Sequence, residues 1–313
     1  MTPKVFATRR FPARVRDELE ASFELDVHDS EWPPSREELL ARAAGRDGLM
    51  TMLTDRIDDE LLDAAGLQLR VVANFAVGFD NVDVPACTRR GVIVSNTPDV
   101  LTQATAELTI ALMLALARRV AEGDRLVRRR EDWIWAPNMM LGHGLAGRVL
   151  GLVGYGRIGQ AVARMAAALG MDVIHTSHSG GLPLDELLAT ADVVSLHLPL
   201  AVETRHLIDE RALGLMKPTA VLVNTSRGPI VDETVLAEAL AQGRIAGAAL
   251  DVFEREPEVT DALLGLENVV LTPHLGSATL ETREAMGMLC VEALRAVLLE
   301  GRVPANALNP GAI

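Results

Sequence analysis

Cysteine is almost missing from this 313-residue chain, which holds only Cys87 and Cys290. Two thiols cannot build a disulfide framework or a cysteine-based zinc site, and they fit a reducing compartment as small buried hydrophobes. A membrane-crossing run is missing too: the longest largely apolar stretch, Leu108 to Ala117, falls well short of the ~20 residues that span a bilayer. Arg9 and Arg10 stand where a signal peptide needs its apolar segment. A cytoplasmic protein with no membrane partner is therefore expected. Nor is positive charge in surplus. Thirty Lys and Arg are set against 43 Asp and Glu, a net charge of −13, which argues against a nucleic-acid or anionic-membrane surface. It leaves small anions open, because a pocket can be locally positive on an acidic protein.

What is present is ordinary globular material, 49% hydrophobic and 23% charged, long enough for one or two domains. The first third alternates short apolar runs (Lys4–Ala7, Phe23–His28, Gly48–Met52, Val71–Phe75, Val92–Val94) with amphipathic stretches (Phe11–Ala21, Ser35–Ala44, Asp58–Ala65, Val84–Arg90). Alternation of this kind implies a parallel sheet with helices on its faces. Ser35 with Glu38 three residues on reads as a capping box. After Pro98 a single helix is expected from Leu101 to about Glu122, apolar on most faces and so buried in a core or against a second subunit. Trp133 and Trp135 follow in a loop, as a core plug or an interface and pocket element. A second βα series begins at Arg148 and ends in a helix over Leu280–Glu300.

Gly154-Tyr155-Gly156-Arg157-Ile158-Gly159 is a GxGxxG that follows the strand Val149–Val153 and opens a helix. In that context Gly154 makes the turn, Gly156 lets the backbone approach a pyrophosphate, and Gly159 packs helix on strand, while the helix start at Arg157 and Ile158 offers N–H groups to phosphate. An acidic residue at the end of the next strand would mark NAD. The chain instead reads Ile174-His175-Thr176-Ser177-His178-Ser179. Ser177, His178 and Ser179 could hold a 2′-phosphate, so NADPH is expected as the preferred cofactor, with NADH possible.

Three polar residues then fall at or just past strand ends: Arg227 after Ala220–Asn224, Glu256 after Ala246–Leu250 and His274 after Val269–Leu271. Ligands of open parallel sheets bind beyond those ends. An arginine can grip a carboxylate or carbonyl oxygen, a histidine can donate a proton to a forming alkoxide, and a carboxylate can hold that imidazole protonated. His28, His143 and His206 lack clustered partners, and His197 sits in a strand end, so no metal is expected.

On these residues, and on Asn74-Phe75-Ala76-Val77-Gly78-Phe79-Asp80-Asn81-Val82-Asp83, Asn96-Thr97-Pro98-Asp99, Val223-Asn224-Thr225-Ser226-Arg227-Gly228 and Thr272-Pro273-His274-Leu275-Gly276, the chain resembles the D-isomer-specific 2-hydroxyacid dehydrogenases, most closely the glyoxylate/hydroxypyruvate reductases. The resemblance implies an α/β protein of two Rossmann-like, doubly wound parallel-sheet domains: a discontinuous substrate domain, residues 1–98 and 282–313, and a dinucleotide-binding domain, residues 99–281. It implies reduction of a small 2-oxo acid, with Arg227 binding and polarising substrate, His274 as acid/base and Glu256 as its partner. The amides of Val77 and Gly78 and the loop at Leu53 would hold the carboxylate, and Trp135 would lie in a loop reaching a partner's pocket. Asp251 would bind the nicotinamide carboxamide. Thr105, Leu198, Pro199, Thr204, Thr225, Ser226 and Gly276 would line the cofactor. A homodimer through the helix from Leu101 is implied as well. Formate dehydrogenases carry Gln where Glu256 stands, and the added regulatory domain of phosphoglycerate dehydrogenases is not expected. D-lactate or phosphoglycerate chemistry and a dinucleotide-sensing corepressor are the competing readings.

Overall fold

The computed structural model describes residues 1–312. They fall into two units, Met1–Leu101 with the chain from Ala278 on, and Thr102–Ser277.

The first unit runs β1 (Lys4–Ala7), α1 (Ala13–Ser22), β2 (Glu24–Val27), α2 (Arg36–Ala43), β3 (Gly48–Thr51), α3 (Asp59–Ala65), β4 (Val71–Asn74), α4 (Val84–Arg89) and β5 (Ile93–Ser95). The strands form one parallel sheet in the order β2-β1-β3-β4-β5. Its middle strands β3 and β4 are buried along their whole length, as a sheet covered on both faces requires. Short polar side chains start the helices: Ser35 accepts the Glu38 N–H, Asp58 that of Leu61 and Asp83 that of Ala86. Only half of the expected capping box forms. The Glu38 carboxylate turns to His28 and Arg42 instead of returning to Ser35, because the Arg42 guanidinium binds it more strongly than one backbone N–H.

The second unit opens with α5 (Thr102–Ala117) and α6 (Val120–Arg128), which corrects the single helix expected from Leu101 to Glu122. Arg119 takes a left-handed conformation, φ 53°. The Ala117 carbonyl accepts the His143 N–H at 2.8 Å, so a residue far along the chain takes the bond that would have continued the helix. Nothing local in the sequence signals this.

Beyond it come β6 (Val149–Val153), α7 (Arg157–Ala168), β7 (Asp172–Ser177), β8 (Gly180–Gly181), α8 (Leu184–Thr190), β9 (Val193–Leu196), α9 (Glu210–Leu215), β10 (Val221–Asn224), a 3-10 turn (Gly228–Ile230), α10 (Glu233–Ala241), β11 (Gly247–Leu250), α11 (Asp261–Leu264) and β12 (Val269–Leu271). The sheet order is β12-β11-β10-β9-β6-β7-β8, parallel except for the β7–β8 hairpin. Strand order reverses between β6 and β9, the switch point where open α/β sheets bind ligands. Helix α12 (Leu280–Leu298) then returns to the first unit and lies on β4 and α1.

Candidate active site

The glycine turn sits at the switch point of the second unit. Gly154 has φ +99°, and a Cβ there would lie 2.4 Å from the His197 carbonyl oxygen; a side chain is excluded by backbone conformation and by contact alike. A Cβ on Gly159 would lie 2.4 Å from the Gly154 carbonyl. At Gly156 a Cβ would meet nothing within 4 Å. Packing thus accounts for the first and third glycines, while the second borders open space at the N-terminus of α7, where no side chain caps the free N–H groups. That is the arrangement a pyrophosphate needs. Tyr155 is stacked on His175 of β7, ring centroids 4.0 Å apart, which ties the turn to the neighbouring strand. Arg157 is exposed, and Ile158 half-buried, at the helix start.

His197 supports the turn from the end of β9. Its Nε2 lies 2.9 Å from Ser195 Oγ, and burial pushes its pKa down to about 4, so the ring is neutral at ordinary pH. Leu198 and Pro199 follow it, and Thr204 Oγ1 ties the next loop back to the Pro199 carbonyl at 2.8 Å.

The β7–β8 hairpin places His178 and Ser179 at its tip. Ser177 Oγ is 3.0 Å from Ser179 Oγ and donates to the Gly180 carbonyl at 2.9 Å. No carboxylate stands between Thr176 and Leu182.

The three strand-end residues lie on adjacent strands of this sheet. His274 Nδ1 donates to Glu256 Oε2 at 2.7 Å, and Glu256 Oε1 accepts the Phe253 N–H at 3.0 Å. Burial raises the Glu256 carboxyl, but the bond to His274, its charge, the Phe253 N–H and the charge of Arg227 outweigh that and leave it below the usual carboxylate value. The ionised carboxylate and the Nδ1–H leave Nε2 of His274 as the ring atom available for proton transfer. His274 itself has φ +54°, a strained state for a non-glycine residue of the kind that clusters at functional sites. Arg227 is half-buried, with Nη1 on the Ser226 carbonyl at 2.8 Å. A Cβ on Gly228 would fall 1.9 Å from the Phe253 carbonyl group, so only glycine lets the Arg227 loop lie directly on the Glu256 loop.

Asp251 is fully buried. Its Oδ1 accepts Thr272 Oγ1 at 2.6 Å and the Leu275 N–H at 2.7 Å, and its Oδ2 accepts the Gly276 N–H at 2.8 Å. Its carboxylate therefore clasps the loop that carries His274. Thr105 donates to the Gly276 carbonyl at 3.0 Å, and Thr109 joins the Thr105 carbonyl to Thr225 Oγ1, each at 2.8 Å. Ser226 folds onto Asn224. Trp135 stands 82% exposed and Trp133 60%, which rules out a core plug within this chain.

The first unit carries Leu53, Val77 and Gly78. Sequence reasoning missed what aims the last two. The carbonyl of Ala76 accepts the Thr97 N–H at 2.9 Å, that of Val77 accepts Asn96 Nδ2 at 2.8 Å, and that of Gly78 accepts Asn74 Nδ2 at 3.1 Å. In a trans peptide the N–H points opposite to the carbonyl. Each tether therefore turns the next amide, those of Val77, Gly78 and Phe79, away from its anchor, and none of the three donates to another group among the described residues. Successive free amides of this sort suit an anion. The Leu53 loop is fixed from below by the buried ion pair Arg9–Asp55 at 3.2 Å, with Asp55 Oδ2 accepting the Met52 N–H at 2.8 Å. The signal for Asn74 was visible as an amide closing an apolar strand; Arg9 and Asp55 gave none.

Among the described residues no cluster of three His, Cys, Asp or Glu side chains could hold a metal, and no helix is long and apolar enough to cross a membrane.

Comparison with known proteins agrees with the geometry. Residues 110–276 match the family described as "D-isomer specific 2-hydroxyacid dehydrogenase, NAD binding domain". A glyoxylate reductase of Pyrococcus furiosus is 47% identical, over 99% of this chain and 96% of its own. A crystal structure of a Thermus thermophilus protein is 47% identical with a TM-score of 0.93, covering 97% of this chain and 99% of that one. The structure of an NADPH-dependent glyoxylate/hydroxypyruvate reductase from Sinorhizobium meliloti, in complex with NADP and malonate, is 33% identical with a TM-score of 0.83, covering 98% and 97%. With a histidine–carboxylate pair and a dinucleotide-type glycine turn on one sheet, and with full-length likeness on that scale, the chain belongs to the D-isomer specific 2-hydroxyacid dehydrogenase family.

Proposed function

We propose that the protein reduces glyoxylate, or a 2-oxo acid of similar size such as hydroxypyruvate, to the D-2-hydroxy acid, using a reduced nicotinamide dinucleotide. The observation that carries this reading is the 2.7 Å bond between His274 and Glu256, beside the Arg227 loop. Glu256 keeps the proton on His274, and Nε2 of His274 delivers that proton to the substrate oxygen as it gains negative charge. Arg227 grips the 2-oxo acid and draws electron density from the reacting carbonyl. The Val77 and Gly78 amides, with the Leu53 loop, take the carboxylate. When bound, the cofactor supplies the hydride. The open space over Gly156 and the uncapped start of α7 fit its pyrophosphate. Asp251 holds the His274 loop in place through the Leu275 and Gly276 N–H groups, and its carboxylate is the group that would meet the nicotinamide carboxamide.

NADPH is the preferred form in this reading. The hairpin tip offers Ser177, His178 and Ser179 and no carboxylate to repel a 2′-phosphate. The Sinorhizobium meliloti relative is described as NADPH-dependent. Two copies pair through the region of α5 and α6, where residues 120–141 include the exposed apolar side chains Val120, Val127, Trp133, Ile134, Trp135 and Leu141; so much exposed apolar surface within one stretch suits cover by a partner. Two buried free thiols suit a reducing, cytoplasmic setting, with burial pushing the Cys87 thiol up to about 12.

The direct test follows absorbance of the reduced nicotinamide with NADPH or NADH and glyoxylate, hydroxypyruvate or pyruvate. Turnover of glyoxylate that falls about 10²–10⁴-fold in kcat for His274→Ala is the expected result. No turnover with any 2-oxo acid, or near-normal turnover in that variant, overturns the reading.

A further inference from the structure

Glu233 is the first residue of α10 and only 5% exposed. A carboxylate buried to that degree is costly unless its oxygens are fully used. Here both are. Oε2 accepts the Glu254 N–H and Oε1 accepts the Thr260 N–H, each at 2.8 Å. These two amides bracket the segment that contains Glu256. The capping of α10 does not need Glu233, because Asp232 accepts the Val235 N–H. One buried side chain therefore closes both ends of the loop from which Glu256 holds His274.

We propose that Glu233 is a positioning residue for proton transfer: it pins the 254–260 loop at both ends and so fixes the Glu256 carboxylate against Nδ1 of His274. The proposal rests on reading Glu256 and His274 as the proton-handling pair. Glu233 touches neither substrate nor His274, and it acts only through the backbone of the loop. Its charged surroundings are Asp232 on the same helix, Glu254 on the loop, and Arg205 and His206, whose side chains meet Glu254 at 3.0 and 2.7 Å. Those facing His274 are Glu256, Asp251 and, through its charge on Glu256, Arg227. Arg205 and His206 bond the Glu254 side chain and leave its N–H to Glu233, so they cannot replace the clamp at that amide.

Two variants cut the clamp in different ways. Glu233→Gln keeps the size but turns an NH2 group toward one of the two amide donors, so one loop end loses its acceptor. Thr260→Pro keeps the Glu233 side chain but removes the N–H at the other end and sets the ring Cδ against Oε1, so the carboxylate must turn away from that end. Thr260 has φ −56°, which a proline ring accepts, and its side chain makes no capping bond. The readout is the pH profile of kcat/KM for glyoxylate with saturating NADPH. In both variants the bell should narrow. The acidic limb rises as Glu256 loses the contacts that hold it ionised, and the alkaline limb falls as the imidazole loses its carboxylate, each by about one pH unit. A merely structural loss lowers the bell without narrowing it, and that outcome overturns the proposal. Should Glu233→Gln fail to fold, Thr260→Pro carries the test.

The His274 ring nitrogens, followed by NMR titration without substrate, separate this idea from the functional reading. A midpoint that drops in the variants, in a protein that reduces no 2-oxo acid, upholds the clamp and overturns the activity. An active wild type with an unchanged bell in both variants does the reverse.

Discussion

Asn96 donates its side-chain N–H to the carbonyl of Val77 at 2.8 Å, and that bond sets the direction in which the Gly78 amide points. A side-chain amide on one loop thus controls a backbone amide on another. Asn96→Ala should release the Val77–Gly78 peptide and leave Asn74 holding Gly78 alone. One hydrogen bond of this kind is worth ~1 kcal/mol, which corresponds to a rise in KM for glyoxylate of about fivefold to tenfold. The KM for NADPH should stay within about a factor of two. Steady-state kinetics on both substrates checks this, and an unchanged KM for glyoxylate counts against the tether.

The glycine turn gives a contrast within one motif. Gly156→Val introduces a side chain into open space and should keep the wild-type melting temperature while abolishing dinucleotide binding, measured by calorimetry or by fluorescence of bound NADPH. Gly154→Ala should lower the melting temperature as well, because its Cβ meets the His197 carbonyl at 2.4 Å with φ at +99°; strain of this sort costs about 1–3 kcal/mol. Equal melting temperatures for the two variants would contradict the packing described.

Cofactor choice should turn on the β7–β8 hairpin. Ser177→Asp places a carboxylate where an NAD-specific fold carries one, and it should shift the ratio of kcat/KM for NADPH over NADH toward NADH by about tenfold or more. His178→Ala should lower the same ratio by a few fold. If neither change moves the ratio, the 2′-phosphate is read elsewhere.

His197 gives the protein an acid-sensitive stability. Its pKa in the folded chain is about 4, below the ordinary histidine value of 6.5. The unfolded chain therefore takes up a proton near 6.5 that the folded chain refuses until about 4. This contribution to stability is fully present above 6.5 and is lost as pH falls through that window. The full shift corresponds to ~3 kcal/mol. Melting temperature measured from about pH 7 to about pH 4.5 should decline in the wild type, and the slope should flatten in His197→Gln.

Most sheet-forming elements were legible in the sequence because a buried strand is often a short apolar run closed by a polar or turn residue, as in Val71–Asn74 or Val221–Asn224. Arg227, Glu256 and His274 could be singled out for the same reason, since strand ends are where such sheets present side chains. The break between α5 and α6 was not legible. It depends on His143 taking the Ala117 carbonyl, a bond between residues distant in sequence, while the local sequence favours one uninterrupted helix. Hairpin β7–β8 was missed because two glycines are a weak strand signal and pair there only through backbone bonds. Glu233, Asn96 and the Arg9–Asp55 pair share one difficulty. Their partners are backbone groups or side chains from other loops, and a polar residue at a helix start or in a loop looks the same whether it is solvated or buried.

Helix α12 carries a consequence for how the chain is made. It supplies Leu294 and Leu298, which press on Gly48 of β3, and Gly287, which lies against Val15 of α1. The first unit thus borrows part of its core from a stretch that leaves the ribosome after the whole of the second unit. The second unit is continuous in sequence and can close earlier. During synthesis the usual order, in which the N-terminal part folds first, is therefore inverted. The strands from β1 to β5 wait with an uncovered apolar face until the residues after Ala278 emerge, and that interval is when the nascent protein most needs a chaperone.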